Sequence, residues 1–368
     1  MNLGAHRTDV VYAWPPLLEL PPPKPTVVYL DLNHWIGLAQ AATCHPQGSR
    51  HLQLLEVARA RRSERSAVFV LSGQHYQEMS LIRDPRQRGH LASVMEELSG
   101  FATLLARPSV MRLEVEAAID LATGTTTNSF EPVPLLHVGF AHAFGKVGGL
   151  RIGSRDGTPA AIIRQTWPGG PHAYDVLLAD LQLRAEREML AGPSNDDIDE
   201  LLARGYVPRA AEVGQEQRAL QEREQAARFE EFSKWRKGRI RDVVGARYVA
   251  IELFDMFSES LARRGLDLEE VWGGVDAARN FVDSMPSGDV HVSLQVAAHR
   301  NPQSTWSSND YFDIDALSLA VPYCDIVLTE KHRCHALQSE GCSRRLGTIV
   351  VASPNELARL IREGEQRG

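Results

Sequence analysis

The stretch Thr26-Val27-Val28-Tyr29-Leu30-Asp31 decides the fold class. Its apolar and β-branched residues run without polar alternation, as in a strand buried on both faces, and the acid stands where such a strand ends. Ala67-Val68-Phe69-Val70-Leu71 repeats the pattern. Helical periodicity separates the two from about Trp35 to Ala60. Ser72 then suits the N-cap of a helix carrying His75, Glu78 and Ile82, and a further helix is expected over about 85–105. Strand, helix, strand, helix at these lengths predicts a parallel sheet with crossover helices.

The pattern returns near the C-terminus. Asp310 to Ala320 reads as a helix with an apolar face, and Asp325 to Thr329 and Leu346 to Ala352 read as strands. Ser353-Pro354-Asn355-Glu356 opens a last helix, with serine as cap, proline at the first helical position and glutamate three residues after the cap. The expected architecture is therefore α/β, a parallel sheet flanked by helices and interrupted by a large, mostly helical insertion. Its parts are a proline-rich extended arm over 1–25, a first core part over 26–120, an insertion over 121–286 and a second core part over 287–368. Within the insertion, Gln215 to Arg241 is densely charged with sparse apolar positions, so it is expected to be a solvated or partner-facing helix.

A chain of 368 residues with 43% apolar side chains can bury one large core or two ordinary ones. No apolar run approaches the roughly 18 residues of a membrane span, and a cytoplasmic setting without membrane contact is expected. The four cysteines, Cys44, Cys324, Cys334 and Cys342, are too few and too scattered for a disulfide framework and are expected to be free thiols. None of them falls in a CxxC pair, which argues against zinc. With 40 basic against 47 acidic residues the net charge is -7, so a polyanion must meet a local basic patch.

In parallel α/β sheets functional groups collect outside the carboxyl ends of the strands. Four segments bring carboxylates there: Asp31, Glu78, the group Asp310, Asp313 and Asp315, and Glu330. Uncompensated carboxylates in one cleft raise each other's pKa unless a cation is present, and an all-oxygen site selects Mg²⁺ or Mn²⁺. Asp313 shares a helical face with Asp310. Asp315 points about 200 degrees away from Asp313 and is expected to be solvated. Asp325, at the opposite end of its strand, is expected to be structural.

Val28-Tyr29-Leu30-Asp31, the Leu71-Ser72 to Glu78 junction, the Asp310 to Ala320 segment and Ile326-Val327-Leu328-Thr329-Glu330 together resemble the four acidic motifs of PIN-domain nucleases, in that family's order. The resemblance covers about 26–110 and 287–368, and its motifs are short. It implies a parallel sheet flanked by helices on which Asp31, Glu78, Asp313, Glu330 and a supporting Asp310 hold divalent metal for cleavage of RNA. Asp313 precedes Thr329 by 16 residues, a spacing usual in the family. Two departures stand out: the fourth acid is usually aspartate, and Glu78 and Asp313 lie 235 residues apart where compact relatives need only a few tens. They keep open a module that binds or assembles without turnover, and the same metal chemistry would also serve DNA.

Residues placed to contact substrate are Asn33 and His34 after the first acid, Arg83 beyond Glu78, and Lys331 and Arg333 after Glu330. His332, Arg86, Arg88 and His90 lie on the same expected rim. In the insertion Lys234, Lys237 and Arg241 share one face of an expected helix, a candidate positive groove for single-stranded nucleic acid, the alternative being pairing with upstream glutamates such as Glu230.

Overall fold

The computed structural model describes residues 10–126, 131–147, 153–154, 156–194, 196–207 and 209–363. Four strands, β1 (Thr26–Leu30), β2 (Ala67–Val70), β5 (Ile326–Leu328) and β6 (Ile349–Val351), form a parallel sheet in the order β2-β1-β5-β6. Strand β3 (Ala102–Leu104) extends it beyond β2 through a parallel bridge from Leu71 to Thr103, and pairs on its other edge with the antiparallel β4 (Leu136–Val138). The chain thus moves from β1 outward through β2 to β3, then returns to the far side of β1 for β5 and β6. The switch point of this order lies between β1 and β5, which pair in register from Val28↔Ile326 to Leu30↔Leu328.

Both sheet faces are covered, which is why the strands read as unbroken apolar runs. Val28, Leu30, Phe69, Leu71, Ile326 and Leu328 point into one core with helices α1 (Leu32–Ala42), α2 (Leu52–Ser63), α4 (Pro85–Ser99) and the C-terminal helix Pro354–Glu363. Val27, Tyr29, Val70, Val327 and Val350 point into the other, with α5 (Arg107–Thr123), α9 (Pro286–Arg300) and α10 (Ser308–Tyr323). The period of two along each strand divides its residues between the layers.

Several expected boundaries differ. The helical stretch from Trp35 to Ala60 is two helices: α1 ends at Ala42 with Thr43 as its cap, a six-residue 3₁₀ turn covers Pro46–His51, and α2 follows. The helix expected to reach 105 stops at Gly100, whose positive φ of 56 degrees gives the left-handed cap, and β3 begins two residues later. The proposed boundary at 120 falls inside α5. A third core joins α5 to the insertion residues Phe229, Val244, Leu253, Phe257 and Phe281 and to Val292 of α9. The insertion is therefore welded to the sheet domain through shared apolar surface.

The described part of the N-terminal arm is likewise packed. Ala13 and Leu18 are buried, the Ala13 amide donates to the Ser284 carbonyl at 2.8 Å, and Leu18–Glu19 pairs with Val133–Pro134. The charged stretch from Gln215 also has an internal partner. Helix α7 (Ala210–Glu231) lies against α10 and buries Gln215, Ala219, Glu222, Gln225 and Phe229, a stripe with helical spacing that is mostly polar. Gln215 and Arg218 reach Asp315, and Glu222 meets Arg247 at 2.7 Å and His299 at 2.6 Å. Hydropathy gave no warning of this face because hydrogen bonds and ion pairs, rather than apolar contacts, satisfy it.

Candidate active site

The carboxyl edge of the sheet is built by three strand–helix junctions. Asp31 follows β1 as the N-cap of α1, and Glu330 follows β5 as the N-cap of α11 (Lys331–Ser339), both with φ -63 and ψ 151 degrees. These two junctions flank the switch point, the place where open α/β sheets leave a crevice. The third is Ser72, which caps α3 (Gly73–Leu81) in a capping box completed by His75.

His75 ties two of these junctions together. Its Nδ1 accepts from the Ser72 amide at 3.0 Å, and its Nε2 then donates to the Leu30 carbonyl at 2.8 Å. Burial lowers its pKa to about 4, so this neutral tautomer persists at ordinary pH. The last residue of β1 is thereby fixed to the first turn of α3, one turn before Glu78. The apolar runs on either side conceal this positioning role; the serine-to-histidine spacing across the helix start was its only trace in the sequence.

The four acids expected to meet do share one electrostatic environment. Asp31 is 7% exposed, receives a hydrogen bond from the Thr329 hydroxyl at 3.1 Å, and has its pKa raised by burial and by Glu330 against that bond. Glu78 is raised well above the carboxylate range by burial, then by the charges of Asp31 and Asp313. Among the described residues nothing hydrogen-bonds its carboxylate. Asp313 is pushed up to about 7 by burial, with Asp31 and Glu330 adding to the shift and Arg333 opposing it. Glu330 accepts from Asn33 Nδ2 and lies 3.2 Å from His332 Nδ1.

Arg333 has a different position from the one expected of a substrate contact. It is 4% exposed, and its guanidinium donates through Nε to Asp313 at 3.0 Å and through Nη2 to Asp310 at 2.6 Å. Asp310 also closes the capping box of α10 by accepting from the Ser307 amide at 2.8 Å. Arg333 therefore belongs to the acidic cluster as its resident cation, and it is already satisfied.

Asp315 is 5% exposed rather than solvated. It pairs with Arg218 at 2.5 Å and Arg107 at 3.3 Å, within a buried network that includes Glu252 and His291. Asp325 accepts from the Val27 amide at 2.7 Å, the structural role expected of it.

The other expected contacts are dispersed. Arg241 sits on α8 (Ile240–Tyr248) and pairs inward with Asp283 at 2.7 Å and Asp289, so it cannot offer a free face to a phosphate. Lys237 is exposed on the separate short helix Ser233–Gly238, so the single cationic face does not form. Arg236 instead meets Glu230, the upstream pairing that was the alternative. Arg83 is exposed and lies in the field of Glu212, while Arg88 is buried, donating to the carbonyls of Ile82, Ala191 and Pro193.

Asn33, His34 and Lys331 do come together. With Glu330, His332 and His335 they line a cleft of about 730 Å³, closed on another side by Arg50 and His51 from the 3₁₀ turn and by Ala352 and Pro354. Arg50 and His51 escaped the sequence reading because the turn that carries them was taken as continuous helix.

As the side chains stand, no group of three or more His, Cys, Asp or Glu among the described residues is positioned to hold a metal ion. The chemistry of the donor set nonetheless fits a hard cation. Asp31, Glu78 and Asp313 offer oxygen only, their charges repel, and the Glu78 carboxylate accepts no hydrogen bond from a described residue. Comparison with protein-family profiles, with characterised proteins and with solved structures returned no match. No helix among the described residues is long and apolar enough to cross a membrane.

Proposed function

We propose that the protein is a divalent-metal-dependent nuclease acting on RNA, with a PIN-like arrangement of acids. The observation that supports this reading is the convergence of Asp31, Glu78 and Asp313 at the switch point, each with its pKa raised by burial and by at least one other acid. A structural role does not account for three carboxylates that penalise one another in this way, whereas a cation site does.

Asp31, Glu78 and Asp313 would hold Mg²⁺ or Mn²⁺, with Glu330 reaching in from the adjacent junction. A divalent ion bound there would polarise a phosphoryl oxygen and acidify water. The chain's own groups prepare the site. Thr329 fixes one oxygen of Asp31, His75 holds α3 against β1, and Arg333 grips one oxygen of Asp313 and leaves the other free. The Asn33 bond to Glu330 holds that carboxylate on the lining of the cleft.

A second reading, a module that binds or assembles without turnover, draws on Arg333. Its fork already neutralises Asp310 and Asp313, and an internal cation can take the place of an external one. Incubation of purified protein with labelled single-stranded RNA and DNA in Mg²⁺, Mn²⁺ or EDTA separates the readings. Divalent-dependent cleavage of RNA that disappears in Asp31→Asn and in Glu78→Gln establishes the nuclease; equal turnover in both variants and the parent removes it. Cleavage of DNA in preference to RNA would keep the chemistry and change the substrate.

A further inference from the structure

The 3₁₀ turn Pro46–His51 is docked on α1 with unusual closeness. A Cβ on Gly48 would lie 2.2 Å from the Ala41 nitrogen, and one on Gly37, in the middle of α1, would lie 2.3 Å from the His51 ring. Glycine inside a helix costs about 1 kcal/mol relative to alanine, so the slot it opens for His51 has been kept against helix propensity. In that slot His51 Nε2 meets His34 Nδ1 at 3.2 Å, and the buried Nδ1 of His51 has no hydrogen-bond partner among the described residues. Arg50 stands beside the pair and makes no ion pair with any described residue; Lys331 across the cleft makes none either. Elsewhere arginines such as Arg107, Arg218, Arg241, Arg264, Arg333 and Arg345 are spent on internal carboxylates.

We infer that this cleft is a one-nucleotide subsite, in which Arg50 and Lys331 hold the phosphate next to the scissile one and the exposed His335 ring, with the edge of the buried His51 ring beside it, forms the wall against which the base rests. The inference rests on the nuclease reading for its polymer substrate and adds where that polymer runs, away from the acids along the β1–β5 crevice towards the 3₁₀ turn. The volume suits one nucleotide, since pockets of about 300–1,000 Å³ enclose ligands of that size. The wall is chemically mixed, as stacking requires: the His335 ring with Ala352 and Pro354 beside two cations. A free nucleotide would present the same phosphate and base, so the test must tell it from a chain.

Binding is measured without turnover, in EDTA, on the full chain carrying Glu78→Gln, using a fluorescent octamer of single-stranded RNA, adenosine 5′-monophosphate and inorganic phosphate. The expected result is that Arg50→Ala with Lys331→Ala weakens the octamer at least tenfold and lowers its log-log salt slope by about 0.7, the value for one lost phosphate contact. His335→Gln, which retains polar atoms but no aromatic face, should weaken the octamer and leave the salt slope unchanged. Monophosphate binding as tight as the octamer and equally dependent on Arg50 would assign the cleft to a free nucleotide and overturn the inference. Unchanged octamer affinity in the double variant, or no binding by any probe, would overturn it as well. If one of these overturning outcomes is found and the same protein with Glu78 restored still cleaves RNA in Mg²⁺ or Mn²⁺, the subsite has failed while the nuclease reading stands.

Discussion

Asp313 and Asp315 stand two residues apart on α10 and meet opposite fates. Both are largely withdrawn from water, so burial pushes both pKa values up. At Asp315 the charges of Arg107 and Arg218, with the Arg218 hydrogen bond, overwhelm that push and hold the carboxyl below the usual range. At Asp313 a single arginine is outweighed by burial together with Asp31 and Glu330, and the pKa rises to about 7. One turn of helix thus carries a finished ion pair on one side and an unfinished one on the other. Burial does not distinguish these two acids; the count of compensating cations does.

The comparison breaks most visibly by neutralising each acid. Asp315→Ala should cost about 3–5 kcal/mol, because it leaves Arg107 and Arg218 buried without their shared carboxylate. Urea titration would measure this, and a loss under 1 kcal/mol would mean that Glu252 alone suffices for both arginines. Asp313→Asn should leave the metal-free protein no less stable while abolishing divalent-dependent cleavage.

pH sharpens the contrast. Asp313 is raised in the folded state, so its favourable protonated form is present below the unfolded carboxylate pKa, and stability is lost as pH climbs from about 4 through about 7. Metal-free protein should therefore melt at lower temperature at pH 8 than at pH 5.5, and millimolar Mn²⁺ should reverse most of the difference, since an ion that binds only the native state adds RT ln(1 + [L]/Kd). Calorimetry showing the same pH slope with and without Mn²⁺ would deny the cation site. Asp315, held low, contributes stability that disappears only as pH falls below the ordinary carboxylate range.

The smallest effect concerns the cleft. Gly37→Ala gains helix propensity but drives a methyl into the His51 ring, so net stability should change by about 1 kcal/mol or less while octamer affinity falls. An unaltered affinity would show that the His51 slot has no bearing on binding.

Much of the sheet was legible because buried parallel strands are unbroken apolar runs and their terminal acids are conspicuous. Asp31 and Glu330 were expected at strand ends, Glu78 on the helix after the second strand and Asp313 near a helix start, and the structure brings all four into one electrostatic environment. The fate of the cations was hidden. Arg333 and Arg241 look like surface charges along the chain, yet each finds its carboxylates across the fold, at Asp310 and Asp313 or at Asp283 and Asp289. Asp315 was misplaced for the same reason: its partners Arg107 and Arg218 are about 100 residues or more away in sequence. The Pro46–His51 turn was lost because two helices joined by a six-residue stretch of 3₁₀ keep nearly continuous periodicity.

The pairing of β1 with β5 joins residues 298 apart, and the Thr329 bond to Asp31 spans the same interval. Closing so long a loop is slow compared with forming the local helices. As the chain emerges from the ribosome, Asp31 and Glu78 are in place long before Asp313, Glu330 and their arginine exist. The nascent protein should therefore pass most of its synthesis with half an acidic edge, and the proposed cation site would be complete only when the final strands insert.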